Sequence, residues 1–158
     1  MLNNLVLYRI SFKKYIHDLS GMGARLYGGR WNSEGNSMVY SSMSASLALL
    51  EFVCNSNSLI TPKNIGLAEL SLPETAEIQQ ISRNELPANW DKYPAPLFLK
   101  NLGDNWLKEN KSVALKVPSA IMPIQQNVLL NPAHKDFKII NFNLIIDFNF
   151  DKRLILSS

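Results

Sequence analysis

A compact set of chemically capable side chains lies between residues 28 and 51. The run Gly28-Gly29-Arg30-Trp31-Asn32 is followed by Tyr40 and then by Glu51, an isolated acid in an apolar stretch. An arginine beside glycines suits a phosphate or a carboxylate, because its fork donates two parallel hydrogen bonds while the backbone comes close. A carboxylate in the wall of a binding site that excludes water can stabilise a positively charged centre or accept a proton. Together these residues are candidates for holding a ribosyl dinucleotide.

Each of these residues also has a purely structural interpretation. Exposed arginines are mostly solvated, and clustered glycines also form tight turns between short strands. Tyr40 could be a core residue, and Glu51 could form a buried salt bridge with Arg9, Arg25 or Arg30. The residue types alone leave these alternatives open.

Other catalytic chemistry has weaker support. His17 and His134 are far apart and lack a ligand-like spacing to carboxylates, so we expect no metal site. The single cysteine, Cys54, is expected to be a small buried hydrophobe. Ser119 has no histidine near it in sequence, which disfavours a serine hydrolase and favours a binding or orienting hydroxyl.

Composition limits the class of protein. With 158 residues, 46% of them hydrophobic, the chain is expected to form one domain over residues 1–158. A net charge of +3 is too small and too scattered to predict a nucleic-acid footprint. The first residues lack the pattern of a signal peptide, and no long apolar window appears. We therefore expect a cytoplasmic protein that binds neither nucleic acid nor a membrane directly.

Hydrophobic patterning predicts the elements that must position these residues. Ser42 or Ser44 is expected to cap a helix over residues 45–53, and a second helix is expected from Pro96 onward, with Trp106 in the core. Residues 20–24 read as a turn and residues 74–90 as a surface excursion. Strands are predicted at residues 5–10, 37–41, 65–72, 113–117, 128–130, 137–140 and 144–150. Without a repeating βαβ period, this pattern indicates an α+β domain with a mixed or antiparallel sheet.

A series of ordered motifs extends along nearly the whole chain, from about Tyr8 to Leu154. In order they are Gly21-x-Gly23-Ala24, Gly28-Gly29-Arg30-Trp31-Asn32, Val39-Tyr40, Ala48-x-x-Glu51, Val117-Pro118-Ser119-Ala120 and Asn131-Pro132-x-His134. This series resembles the RES domain, a family named for arginine, glutamate and serine. Six separated matches in the right order are far more specific than any one of them.

The resemblance implies both a fold and an activity. The fold would be similar to that of diphtheria-type ADP-ribosyltransferases, a split mixed or antiparallel sheet with flanking helices. The protein would be the toxin of a bacterial type II toxin–antitoxin pair, neutralised by an Xre-class helix-turn-helix antitoxin. NAD would be the substrate rather than a cofactor, and it would be consumed by hydrolysis or by phosphorolysis with inorganic phosphate as co-substrate. The alternatives are ADP-ribose transfer to a protein and a non-catalytic binding module, and a homodimer within the complex stays open.

The resemblance also assigns roles to individual residues. Glu51 would stabilise the oxocarbenium-like state and hold ribose hydroxyls, Arg30 would hold a phosphate or ribose oxygen, and Tyr40 would wall the nicotinamide ring. Whether Arg9 or Arg30 is the main substrate-holding arginine is left open. The residues predicted to be catalytic are Arg30, Tyr40 and Glu51, and those predicted to bind substrate are Arg9, Tyr27, Gly28 and Ser119.

Overall fold

A mixed β-sheet forms the centre of the protein. The computed structural model describes residues 3–56 and 63–154, and within them seven strands pair in the order β4-β5-β6-β2-β1-β3-β7. Only β4 and β5 run parallel among these pairs. The strands are β1 Leu5–Phe12, β2 Val39–Ser42, β3 Ile65–Leu72, β4 Ile78–Gln80, β5 Ala114–Pro118, β6 Gln126–Leu130 and β7 Asn141–Phe148. The predicted α+β class and mixed sheet are confirmed.

The sheet is split between β1 and β2. These two strands share one registered pair, Tyr8 with Ser42, whereas β1 pairs with β3 along its whole length. One half of the sheet is therefore β7-β3-β1, and the other is β2-β6-β5-β4. Two strands that diverge in this way leave a gap that a helix or a ligand can fill.

Three α-helices flank the sheet within the described residues. They are α1 Met22–Tyr27, α2 Ala45–Asn55 and α3 Leu97–Glu109. The Ser44 hydroxyl caps α2 by accepting a hydrogen bond from the Leu47 N–H at 3.1 Å, which decides between the two predicted caps. The helix packs on both β1 and β2, and so it covers the split. No helix in the described part of the chain is long and apolar enough to cross a membrane.

Close packing fixes the segment that carries Arg30. Trp31 and Trp106 are both buried, as predicted for Trp106. Gly103, in the middle of α3, lies so close to Trp31 that a Cβ at this position would be 1.7 Å from the Trp31 carbonyl oxygen. A glycine that weakens the helix is therefore what allows α3 to contact the 28–32 segment.

Four local predictions are wrong. Residues 20–24 are not only a turn, because α1 begins at Met22, and the predicted strand at residues 137–140 is a 3₁₀ turn, Phe137–Ile139. Phe137 and Ile139 of this 3₁₀ turn pack against the core, and their spacing in the sequence resembles the alternation of a short strand. The 74–90 excursion contains β4 and a buried Trp90, because a three-residue edge strand is too short to show alternation. Cys54 is exposed on α2 rather than buried.

Candidate active site

Four of the seven predicted residues line a cleft at the split in the sheet. The cleft has a volume of about 670 Å³ and is lined from both halves of the sheet and from α1 and α2. Arg9 on β1, Tyr27 on α1, Tyr40 on β2 and Glu51 on α2 all line it. These four predicted side chains are up to 42 positions apart in sequence, and the gap between β1 and β2 brings them together.

One hydroxyl donor and one amide donor hold the same oxygen of Glu51. Ser119 Oγ donates to Glu51 Oε1 at 2.8 Å, and Asn127 Nδ2 donates to the same oxygen at 2.6 Å. Among the described residues, no lysine or arginine forms a salt bridge with Glu51, so the structure does not show the alternative of a buried ion pair. Sequence reasoning missed Asn127, because nothing in the short β6 pattern distinguishes it.

The second oxygen of Glu51 is open to the cleft. Oε2 accepts no hydrogen bond from the described residues, and no buried side-chain nitrogen or oxygen in that part of the chain lacks a partner. Because Glu51 itself lines the cleft, Oε2 is the carboxylate oxygen that remains for a ligand there. One carboxylate oxygen is held by the protein, and the other is available to a ligand.

Ser119 lies behind Glu51 rather than at the cleft surface. It is fully buried, and its Oγ accepts hydrogen bonds from the N–H groups of Ile121 at 3.2 Å and Met122 at 3.1 Å. Because these two donors occupy the hydroxyl oxygen, its one proton is directed to Glu51. Direct substrate binding by Ser119 stays a prediction; the contact that the structure shows is with Glu51.

The hydroxyl of Tyr40 is committed to the protein. It donates to Asn32 Oδ1 at 2.6 Å and accepts from the Trp31 N–H at 3.1 Å. Burial raises the pKa of this phenol well above its usual value. A Cβ on Gly29 would lie 2.5 Å from the Tyr40 hydroxyl, so this glycine is needed for the contact. With its hydroxyl engaged, Tyr40 offers the cleft its ring.

Arg9 presents part of its guanidinium to the cleft. Its Nη1 donates to the backbone carbonyls of Ile16 at 3.2 Å and Asp18 at 2.8 Å, which ties down the turn after β1. Burial lowers the pKa of Arg9, and the charge of Asp18 opposes this effect. Nε and Nη2 have no hydrogen-bond acceptor among the described residues, so they are free to bind an anion.

Arg30 is held beside the cleft and does not line it. Its Nη1 donates to the carbonyls of Trp90 and Lys92, both at 3.1 Å. Burial lowers the pKa of Arg30, while the negative charges of Glu51 and Asp91 oppose this effect. Arg30 therefore lies within the electric field of Glu51, but its visible contacts anchor the 90–92 segment.

The remaining two predicted residues mark the end of α1. Tyr27 is 80% exposed at the mouth of the cleft. Gly28 has a φ of 69°, a backbone conformation that favours glycine, and its N–H donates to the Ala24 carbonyl at 2.8 Å. Gly28 ends the helix and does not line the cleft.

Comparison with known proteins decides the family. The RES domain matches residues 6–151, nearly the whole chain. This chain belongs to the RES domain family. It is 36% identical over 152 residues to Toxin Res of Yersinia enterocolitica, covering 95% of this chain and 99% of that toxin. It is 38% identical over 155 residues to Toxin Res of Photorhabdus laumondii, covering 96% and 97% of the two chains.

A third relative has a more specific name. The RES domain described here is 39% identical over 140 residues to the Prs ADP-ribosylating toxin of a Sphingobium species, covering 87% of each chain. Its fold is similar to that in the crystal structure of the M. tuberculosis MbcT–MbcA toxin–antitoxin complex, with a TM-score of 0.75 and 16% identity over 94% of this chain and 86% of that one. The family and the relatives identify this chain as a RES-class toxin with an ADP-ribosyltransferase-like fold.

Proposed function

We propose that this RES toxin cleaves the bond between nicotinamide and ribose C1′ of NAD and so depletes the NAD of the cytoplasm. The observation that carries the proposal is the arrangement of Glu51, with Oε1 held by Ser119 and Asn127 and Oε2 open to the cleft. A carboxylate fixed in this way can face a positive charge that develops next to it without reorganising first.

The chemistry assigns a role to each wall of the cleft. When the C1′–N bond breaks, nicotinamide leaves with the bonding electron pair and the ribose ring acquires oxocarbenium character. Glu51 Oε2 would accept a hydrogen bond from a ribose hydroxyl and stabilise that positive charge. The Tyr40 ring would pack on nicotinamide, and the free nitrogens of Arg9 would bind the pyrophosphate. Water or inorganic phosphate would then form the new bond to C1′ and lose its proton to solvent.

A second candidate activity is transfer of ADP-ribose to a protein. It is favoured by the Sphingobium relative, whose name states that it is an ADP-ribosylating toxin. The same Glu51 arrangement would serve it, because the bond that breaks is the same and only the acceptor differs. A non-catalytic binding module is disfavoured, since such a module would not need a carboxylate held by two donors with one oxygen free.

The proposed partner is an Xre-class helix-turn-helix antitoxin. Its support is membership of the RES family and the likeness in fold to a chain in the crystal structure of a toxin–antitoxin complex. A homodimer of the toxin within that complex stays part of the proposal.

The test is an incubation of the purified chain with NAD while nicotinamide release is followed. One arm contains phosphate-free buffer, a second contains inorganic phosphate, and a third contains bacterial protein and radiolabelled NAD. Release in the first arm indicates hydrolysis, release that requires phosphate indicates phosphorolysis, and label that stays with denatured protein indicates transfer. No nicotinamide release in any arm would contradict the proposed function.

A further inference from the structure

Two side-chain hydrogen bonds lead from Ser42 on β2 through Asn127 to Glu51, and the proposed function gives Ser42 and the Asn127 amide no separate role. Ser42 Oγ donates to Asn127 Oδ1 at 2.7 Å, and Asn127 Nδ2 donates to Glu51 Oε1 at 2.6 Å. Ser42 is buried, and both Ser42 and Asn127 line the cleft. The family resemblance drew attention to Ser119 alone, so the second donor to Glu51 is a separate observation.

Strand register explains why these side chains meet. Ser42 on β2 is paired with Asn127 on β6, and Asn127 is paired with Val117 on β5. Ser119 follows β5 directly, so its hydroxyl approaches the same carboxylate from the neighbouring strand. The two donors to Glu51 therefore come from adjacent strand ends. Asn127 lies within the β6 ladder, and the Ser119 N–H donates to the Gln125 carbonyl at 3.0 Å, just before β6.

The direction of each hydrogen bond is fixed. A serine hydroxyl has one proton, and that of Ser42 goes to the oxygen of the Asn127 side chain, which leaves the amide nitrogen facing Glu51. Both Ser119 and Asn127 then donate to Oε1, and neither donates to Oε2. Two donors on one oxygen select one orientation of the carboxylate, the orientation in which Oε2 faces the cleft.

We infer that Asn127, oriented by Ser42, is a positioning residue that sets the orientation of Glu51 for the reaction. The inference rests on the proposed function for its kinetic consequence. Asn127 does not need to touch the breaking bond; it acts by holding Glu51, because a displacement of about 1 Å at a reacting group can cost on the order of 10²-fold in rate.

The kinetic test compares Asn127→Ala with a matched control, Asn143→Ala. Asn143 on β7 also donates to a glutamate, Glu69 Oε1, at 3.2 Å, but this contact is exposed and away from the cleft. We expect N127A to lower kcat for nicotinamide release by about 10- to 100-fold with a smaller change in KM, because orientation is lost and the cleft is kept. N143A should keep the wild-type kcat. Equal kcat values for N127A and the wild type would overturn the inference.

Asn127→Asp tests positioning through the pH dependence of kcat, which should not change if Asn127 is only structural. The substitution places a second carboxyl within hydrogen-bond distance of Glu51 Oε1, and two carboxylates at this distance repel each other when both are ionised. At low pH a shared proton restores a hydrogen bond to Glu51, so the ratio of N127D to wild-type kcat should rise as the pH is lowered from about 8 to about 5. A ratio that is constant with pH would contradict the inference.

A crystal structure of N127A tests the same inference without turnover. We expect the Glu51 carboxylate to rotate or to occupy two orientations, and Ser42→Ala to produce the same change to a smaller extent. If the wild type releases no nicotinamide, the proposed function fails, and this structure still tests the positioning. A single, unchanged Glu51 orientation in N127A would refute it.

Discussion

The floor and the rim of the cleft are built in different ways. The floor, defined as Tyr40, Glu51, Ser119 and Asn127, is joined to the protein by hydrogen bonds of 2.6 to 3.2 Å. The rim, defined by the cleft-lining apolar side chains that are exposed, consists of Phe12, Tyr15, Met22, Leu26 and Tyr27. The floor is therefore organised before a ligand arrives, whereas the rim exposes large apolar side chains to solvent. Substitutions in the floor should change kcat and stability, and substitutions in the rim should change KM alone.

Within the floor, Ser119→Ala should lower both kcat and stability. This change removes one donor to Glu51 and leaves the N–H groups of Ile121 and Met122 without their acceptor. We expect kcat to fall by about tenfold or more, which corresponds to roughly 1.4 kcal/mol or more of lost transition-state stabilisation. The free energy of unfolding should fall by about 1–3 kcal/mol. Urea unfolding measures the change in stability, and nicotinamide release measures the change in kcat. An unchanged kcat would show that Ser119 does not belong to the floor.

Gly29 lies outside the floor, but Gly29→Ala should displace the side chain of Tyr40. The added Cβ would lie 2.5 Å from the Tyr40 hydroxyl and 2.9 Å from its Cζ, and both groups are held by buried neighbours. We expect kcat to fall by about tenfold, because a shift of the ring misplaces the wall of the cleft. The control is Gly23→Ala, since a Cβ there meets nothing within 4 Å and alanine favours the helix; because Gly23 also lines the cleft, the variants are compared by kcat at saturating NAD. Equal kcat values for G29A and G23A would show that the position of the Tyr40 ring does not matter.

Tyr40→Phe should change how stability depends on pH. Because burial raises the pKa of Tyr40, the phenol stays neutral in the folded protein while it ionises at about pH 10 in the unfolded chain. The unfolded state then holds fewer protons, so wild-type stability should fall as the pH rises above about 10. Y40F should lose about 1–3 kcal/mol near pH 7, because Asn32 and the Trp31 N–H lose their partner, and its alkaline decline should be shallower. Parallel pH curves for the two proteins would contradict this account.

The smallest effect is expected for Tyr27→Ala in the rim. The side chain is 80% exposed, so its removal should change the free energy of unfolding by no more than about 0.5 kcal/mol. We expect KM for NAD to rise a few-fold with an unchanged kcat, because only uniform binding is lost. Steady-state kinetics check this, and a fall in kcat as large as that of S119A would remove the distinction between floor and rim.

Sequence patterns predicted the parts of this fold that have long periods or strong motifs. The presence of a serine cap before α2, the helix α3 and the strand that ends before Ser119 all follow from local chemistry, although only the structure decides for Ser44 over Ser42. The single-pair junction between Tyr8 and Ser42 does not, because strand register is a property of the assembled sheet. For the same reason Asn127 could not be found: only the pairing of β2 with β6 and of β6 with β5 brings it to Glu51.

The candidate site was predictable from the sequence only in part. Arg9, Tyr27, Tyr40 and Glu51 do share one cleft. The arginine beside the two glycines instead donates to the carbonyls of Trp90 and Lys92, which lie about sixty residues further along the chain. A glycine-flanked arginine predicts close approach of some acceptor, and local sequence cannot say that this acceptor is a distant backbone segment.

The most direct test of the central claim is the rate of nicotinamide release by Glu51→Gln at saturating NAD. Glutamine keeps the shape of the side chain and removes the negative charge, and the control, Glu74→Gln, makes the same change at an exposed site in the turn after β3. We expect E51Q to lose on the order of 10²–10³ in kcat while its melting temperature and its affinity for NAD change little. E74Q should match the wild type. Nicotinamide release by E51Q within a few-fold of the wild-type rate would show that Glu51 does not stabilise the reacting ribose.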